Sequence, residues 1–213
     1  MAGTVITIAQ QKGGAGKTTL CAHLALAWAL EGKSVAVIDI DPQASLGAWH
    51  AMRRETRGDE EASFDFQSVT GWRVQSEVER QARQHDIVLI DGPPHAETEA
   101  RISVRAADLV VVPVQPSPMD VWATKPTLDL AKAERKPVLL VLNRVPPRAN
   151  LTDAMLEKLA ALDAPIAMTR IGNRVALANA MAEGRSVHES APGSRAAEEI
   201  QALAREILKA AKK

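Results

Sequence analysis

Short apolar runs alternate with longer amphipathic ones along this chain. Val5-Ile6-Thr7-Ile8, Val35-Ala36-Val37-Ile38, Ile87-Val88-Leu89-Ile90, the run 109–114 and the run 138–142 are β-branched or leucine-rich and almost free of charge. Runs of that length and composition read as strands buried on both faces, as in a parallel sheet. Between them, helical spacing predicts helices at about 19–31, 44–54, 74–84, 97–107, 120–134, 151–162, 175–183 and 196–211. Weaker strand patterns lie at 64–69 and near 166–169, and the polar, acidic stretch 57–63 reads as a surface loop. Strand and helix in alternation predict βαβ units, hence an α/β fold: a doubly wound, mostly parallel sheet with helices on both faces. No repeat, low-complexity tract or linker interrupts the pattern, so residues 1–213 are expected to form a single domain.

The first strand run feeds Gln10-Gln11-Lys12-Gly13-Gly14-Ala15-Gly16-Lys17-Thr18-Thr19. Strand, glycine-rich turn and helix start make up the context of a phosphate-binding loop. Glycines at 13, 14 and 16 let backbone N–H groups curl round an anion with no Cβ in the way. The following helix points its positive end at the same anion. Lys17 then serves the β/γ oxygens and the Thr18 hydroxyl can ligate Mg²⁺. A second lysine, Lys12, stands near the start of the loop. Lys17 already serves the loop's own phosphate, so Lys12 is either a solvated surface lysine or a cation that reaches a nucleotide on a facing subunit.

Other polar residues fall at predicted strand ends, where ligands collect in open parallel sheets. Asp91 after four apolar residues is the Walker B arrangement, an acid that holds Mg²⁺ through water. Asp39 and Asp41, two apart, point the same way on a continuing strand; one can approach the metal shell and the other orient a water. The Asp-Pro turn that caps the next helix is compatible with both. Asn143 can bond an adenine edge. The Val145-Pro146 that follows supplies no acid of the kind a guanine reader needs.

Composition narrows the picture modestly. Hydrophobic residues are 46% and charged residues 24%, with 26 basic and 26 acidic side chains, ordinary for a globular protein. The segment 144–213 carries 11 basic and 8 acidic residues, a net of +3, leaving −3 for the remainder. The single cysteine, Cys21, excludes an internal disulfide or cysteine cluster and is expected to pack as a small hydrophobe. The histidines show no metal-ligand spacing, and Trp28, Trp49, Trp72 and Trp122 are expected to bury large areas, though one of them could serve a partner surface. The N-terminus runs straight into a strand and no apolar run approaches 18 residues, so the expected location is cytoplasmic.

On these residues the chain resembles the ParA/MinD family of deviant Walker A ATPases, and within it the small ParA-type partition proteins. The resemblance rests on KGGAGKTT (12–19), VAVIDIDPQAS (35–45), IVLIDGPP (87–94), VVVPVQPSPMD (110–120) and LNR (142–144). It implies ATP and Mg²⁺ as ligands, with the loop residues Gly13, Gly14, Ala15, Gly16, Lys17, Thr18 and Thr19 around the nucleotide. Lys12 would be the signature lysine that contacts ATP across a nucleotide-sandwich homodimer. Asp41 would position the hydrolytic water, Asp39 and Asp91 would support the metal with Thr18, and Asn143 would meet the base. It further implies slow hydrolysis stimulated by a ParB-like or other partner, non-specific DNA binding by the dimer, and a nucleoid-associated role in positioning plasmids, chromosomal loci or protein cargo. DNA contacts would come from the basic C-terminal part (Arg144, Arg148, Arg170, Arg174, Arg185, Arg195), with Arg170 and Arg174 favoured. The chain shows no helix-turn-helix extension before the first strand, so operator binding is not expected.

Two alternatives use the same scaffold. A MinD-like membrane switch would need an interfacial C-terminal helix. The stripe Ile200, Leu203, Ile207 and Leu208, followed by Lys209, Lys212 and Lys213, is alanine-rich and lacks aromatics, so docking on the core is expected and stable membrane association is not. An amidoligase-type enzyme would need a further polar substrate pocket, which the sequence does not display. A nitrogenase-reductase-like role fails on the single cysteine.

Overall fold

In the computed structural model, residues 2–58, 63–94, 97–147 and 150–212 are described. The strands are β1 (Thr4–Ile8), β2 (Val35–Asp39), β3 (Asp65–Ser68), β4 (Ile87–Asp91), β5 (Leu109–Val114) and β6 (Val138–Leu142). They form one six-stranded sheet in the order β3-β2-β4-β1-β5-β6, with every pairing parallel. Period-two alternation divides the strand residues between two apolar layers. Ile6, Ile8, Val35, Val37, Leu89, Val111 and Val141 face one side. Val5, Ala36, Ile38, Val88 and Ile90 face the other, continued by Val110, Val112, Val114 and Leu140. Both layers are covered, which explains why the strand runs carry no polar face.

The first layer is closed by helix α1 (Lys17–Leu30), α2 (Ser45–Arg57) and the C-terminal α9 (Arg195–Ala211), with α7 (Val175–Ala182) and α8 (Val187–Ser190) beside them. The second is covered by α3 (Arg73–Ala82), α4 (Glu97–Ala106), α5 (Pro118–Ala133) and α6 (Asn150–Ala160). The stripe of α9 is spent on the core: Ile200, Leu203 and Ile207 are fully buried and Leu208 packs at the margin. Trp28 of α1 is also fully buried and donates its indole N–H to the Ala204 carbonyl at 3.1 Å. Cys21 is a buried, free thiol in the same layer, as its sequence context predicts.

Several expectations need correcting. Helix α1 starts at Lys17, two residues early, because the loop's last glycine (Gly16, φ 93°) is itself the helix N-cap. Residues 166–169 form no regular strand. Ile166 makes one bridge to Leu140, and the amides of Met168 and Thr169 turn away to the Glu206 carboxylate at 2.7 and 2.9 Å. Helix α8 escaped the sequence reading; four residues give too little periodicity, and it is fixed by a capping box between Ser186 and Glu189. Trp28 and Trp49 are buried, but Trp72 and Trp122 are 84% and 65% exposed. Both stand at or near helix starts, where an amphipathic pattern does not tell the inward from the outward face. Part of the predicted loop 57–63, and Arg148, lie outside the described residues. Among the described residues, no helix is long and apolar enough to cross a membrane.

Candidate functional site

The register sets the site. Ile8 of β1 pairs with Asp91 of β4, and Asp91 pairs with Asp39 of β2, so three neighbouring strands end level with one another. The loop leaving β1 arches over that end and closes into α1. Gly14 (φ 76°) and Gly16 (φ 93°) hold left-handed conformations that an L side chain resists. A Cβ on Gly16 would also stand 2.5 Å from the Asn143 amide nitrogen. That amide donates to the Ala15 carbonyl at 2.8 Å, so Asn143, at the end of β6, fastens the loop from the far side of the sheet.

Beneath the loop, Lys17 is buried and its ammonium donates to the Gln10 carbonyl at 3.0 Å. Burial lowers its pKa, opposed by the charges of Asp91 and Asp41. The Thr18 hydroxyl donates to Asp91 Oδ2 at 2.7 Å. Asp91 is buried, and that burial pushes its pKa up to about 7, opposed by the Thr18 hydrogen bond. Its second oxygen, Oδ1, is buried with no hydrogen-bond partner in the protein. A hydroxyl and a carboxylate with an unspent oxygen make a hard-oxygen donor set that fits Mg²⁺.

Asp39 is fully buried and its carboxylate is occupied by backbone: Oδ1 accepts from Asp41 N at 3.0 Å and Oδ2 from Gly47 N at 3.1 Å. Burial raises its pKa and these bonds oppose the rise. Asp39 therefore shapes the 41–47 turn, its carboxylate being spent on Asp41 and Gly47. Asp41 is partly exposed, accepts from Gln43 N at 3.0 Å, and lines the cavity beside the loop. That cavity holds about 550 Å³ among Gly13, Gly14, Lys17, Thr18, Asp41 and Arg144, and Pro94 and Met181 also line it. A neighbouring cavity of about 420 Å³ is lined by Gly16, Thr19, Asn143, Arg144 and Arg174. Together they offer a polar cradle for a polyphosphate and an adjoining slot for a base.

Lys12 takes a different direction. It is partly exposed, and its ammonium reaches Asp120 Oδ2 of α5 at 2.5 Å. Asp120 is 1% exposed. Helix α5 supports the whole loop: Gln10 Nε2 donates to Thr124 Oγ1 at 3.3 Å, Gln11 N to Thr127 Oγ1 at 3.4 Å, and Gln115 Nε2, just before the helix, to the Gly14 carbonyl at 2.9 Å. The sequence reading missed these residues, more than a hundred positions from the loop. The available signal was Ser117-x-x-Asp120, an N-cap pattern in which Asp120 N donates to Ser117 Oγ at 3.2 Å. Of the basic residues offered for DNA, Arg170 is exposed, whereas Arg174 is half-buried and paired with Glu199 at 2.6 Å. Arg144 lines both nucleotide-side cavities.

A parallel six-stranded sheet with a glycine-rich loop, an invading lysine and a strand-end acid at its carboxyl edge defines a phosphate-loop nucleotide-binding protein. The chain belongs to the CobQ/CobB/MinD/ParA nucleotide-binding family, whose domain model matches residues 6–187. It is 31% identical over 212 residues to maintenance of carboxysome distribution protein A of Halothiobacillus neapolitanus, covering 95% of each chain. Among solved structures it resembles an ATP complex of McdA from Cyanothece, with a TM-score of 0.82 at 16% identity, covering 98% of this chain and 97% of that one. It also resembles the septum site-determining protein MinD complexed with Mg-ADP from Pyrococcus horikoshii OT3, with a TM-score of 0.78 at 20% identity over 96% and 95% of the two chains.

Proposed function

We propose that this protein is a ParA-type positioning ATPase: it binds ATP with Mg²⁺, closes into a nucleotide-sandwich homodimer, holds DNA non-specifically in that state, and is reset by partner-stimulated hydrolysis. The observation that carries the reading is the pair of lysines on one loop. Lys17 lies under the cradle while Lys12 points out of it, and a cation in that second position serves a nucleotide that is not its own. ATP and Mg²⁺ are supported by the donor set at Thr18 and Asp91 and by the ligands of the two structural relatives. The 95% mutual coverage with a carboxysome-distribution protein favours a large protein assembly as cargo.

In this mechanism Gly13 to Thr19 bind the triphosphate through backbone N–H groups, with Lys17 on its β/γ oxygens. Thr18 and Asp91 would hold Mg²⁺, which would supply positive charge to those oxygens. Asp41 orients the attacking water, and Asp39 fixes the turn that presents Asp41. Asn143 keeps the loop in register and borders the base slot. Arg170 is the stronger candidate for DNA phosphates, since Arg174 is already engaged by Glu199. The burial of the α9 stripe argues against a membrane-switch reading.

Asp41→Ala removes the water-orienting group and leaves the cradle intact. With Mg-ATP it is expected to run as a stable dimer in size-exclusion chromatography with light scattering, and to retain arbitrary duplex DNA only with ATP, with steep loss as salt rises. A variant that turns over normally, or DNA retention equal in the nucleotide-free protein, would refute the reading.

A further inference from the structure

The role of Lys12 just described leaves Asp120 unexplained. Its carboxylate is 2% exposed, Oδ1 is buried with no hydrogen-bond partner in the protein, and Oδ2 receives both the Lys12 ammonium and the Ser117 hydroxyl. Among the described residues Lys12 is the side-chain cation paired with Asp120, whose carboxylate also faces the N-terminal amides of α5. Helix α5 and the loop are tied together at Gln10, Gln11 and Gly14. Lys12 therefore leaves Asp120 by turning its own side chain, with the loop staying in place. Leaving strands the carboxylate in a desolvated site, which opposes the move.

We propose that Asp120 is a positioning residue that stores Lys12 in cis and so sets the threshold for ATP-dependent dimerisation. It competes with the triphosphate of a facing copy for the same ammonium. A triphosphate with its terminal phosphate wins that competition, whereas a diphosphate offers less charge at the facing position and loses it. The contact thus keeps the monomer from pairing without ATP. Met119 and Trp122, 63% and 65% exposed on either side of Asp120 in α5, lie beside this contact, so an approaching copy would cover the latch as it opens. This inference rests on the trans role of Lys12.

The test is the Mg-ATP concentration at half-dimerisation, read by light scattering, for wild type, Asp120→Asn, Asp120→Glu, Lys12→Ala and the Lys12→Ala/Asp120→Asn double variant. Asp120→Asn is expected to lower that concentration roughly tenfold, within the usual range of coupling between sites. Asp120→Glu should stay near wild type, Lys12→Ala should dimerise poorly, and adding Asp120→Asn to it should change nothing further. A raised or unchanged threshold in Asp120→Asn overturns the storage role. So does a shift that persists in the Lys12→Ala background, which would place the effect in α5 itself. Normal dimerisation of Lys12→Ala defeats the trans role instead, so the two failures are distinguishable. Reductive methylation of the nucleotide-free wild type, followed by mass spectrometry, gives a readout that needs no variant. Lys12 should label more slowly than Lys125, whose partner Asp129 is itself largely exposed; equal labelling overturns the proposal.

Discussion

Two polar regions of this molecule are buried to similar degrees and behave in opposite ways. Between α1, α2, α7 and α8, His23 accepts from Val187 N at Nδ1 and meets the Leu177 carbonyl at Nε2, at 3.1 and 3.3 Å. Arg53, fully buried, grips Glu189 with two bonds of 2.8 Å and the Gly184 carbonyl with a third of 3.1 Å. At the nucleotide edge, Asp91 and Asp120 each keep a buried oxygen without a partner, and Lys17 rests on a backbone carbonyl. Unsatisfied buried polar groups cost stability and are rare in finished cores. Other such atoms lie elsewhere, His188 Nδ1 and Nε2 on α8 among them, but the oxygens of Asp91 and Asp120 border the phosphate loop, where a ligand's charge can act on them. In the first region the Arg53 and His23 contacts hold helices together, and in the second Lys17, Asp91 and Asp120 stand beside a loop built to take a charged ligand.

The largest expected difference comes from Lys17→Ala. It removes the ammonium from the cradle, and nucleotide affinity should fall by roughly 10- to 100-fold, the range for losing a hydrogen bond between charged groups. Stability should be kept or slightly raised, because a desolvated cation disappears. Fluorescent-nucleotide titration paired with chemical denaturation checks both; lost stability with retained binding would invert the comparison.

Arg53→Ala is the mirror experiment. It breaks a buried bidentate pair and leaves the Gly184 carbonyl unpaired, so unfolding free energy should drop by about 3 kcal/mol. Nucleotide affinity, measured well below the melting transition, should change less than threefold. A larger change would mean that the helix layer and the cradle are coupled through α2, which starts just after Asp41-Pro42.

These regions were not equally legible in the chain. The cradle could be read because its groups are consecutive (12–19) or sit at the ends of obvious strand runs (39, 41, 91, 143), and because a parallel sheet gathers such ends on one edge. The core stripe of α9 was readable from period alone. Long-range polar pairings were not: Lys12 with Asp120, Gln10 with Thr124, Arg53 with Glu189 and Asn143 with the Ala15 carbonyl join positions more than a hundred apart. Asn143 shows the consequence. It was read as a base contact, and it also has a structural bond that fastens the loop. The resemblance favours Arg174 for DNA phosphates, yet Glu199, 25 positions later on another helix, already engages it. Charge in a sequence gives the supply of ions and leaves their partners to the fold.

The smallest predicted effect sharpens the comparison through pH. His23 is held neutral by burial, its pKa lowered to about 4, while burial raises Asp91 to about 7. For His23 the unfolded chain takes up the proton first, so its contribution to stability is full above about 6.5 and is lost as pH falls toward 4. For Asp91 the folded state holds the proton, so its contribution is full near pH 4 and is lost as pH rises through about 7. Between pH 7 and 5.5 each contribution changes by about 1 to 2 kcal/mol, with opposite signs. The two residues thus pull the pH dependence of stability in opposite directions, and each is exposed by silencing the other in the protein without Mg²⁺ or nucleotide. Asp91→Asn silences the nucleotide edge and should become less stable on acidification, whereas His23→Gln silences the helix layer and should become more stable. Parallel pH slopes in the two variants would mean that neither residue titrates where its surroundings place it, and that the contrast between the regions does not extend to their protons.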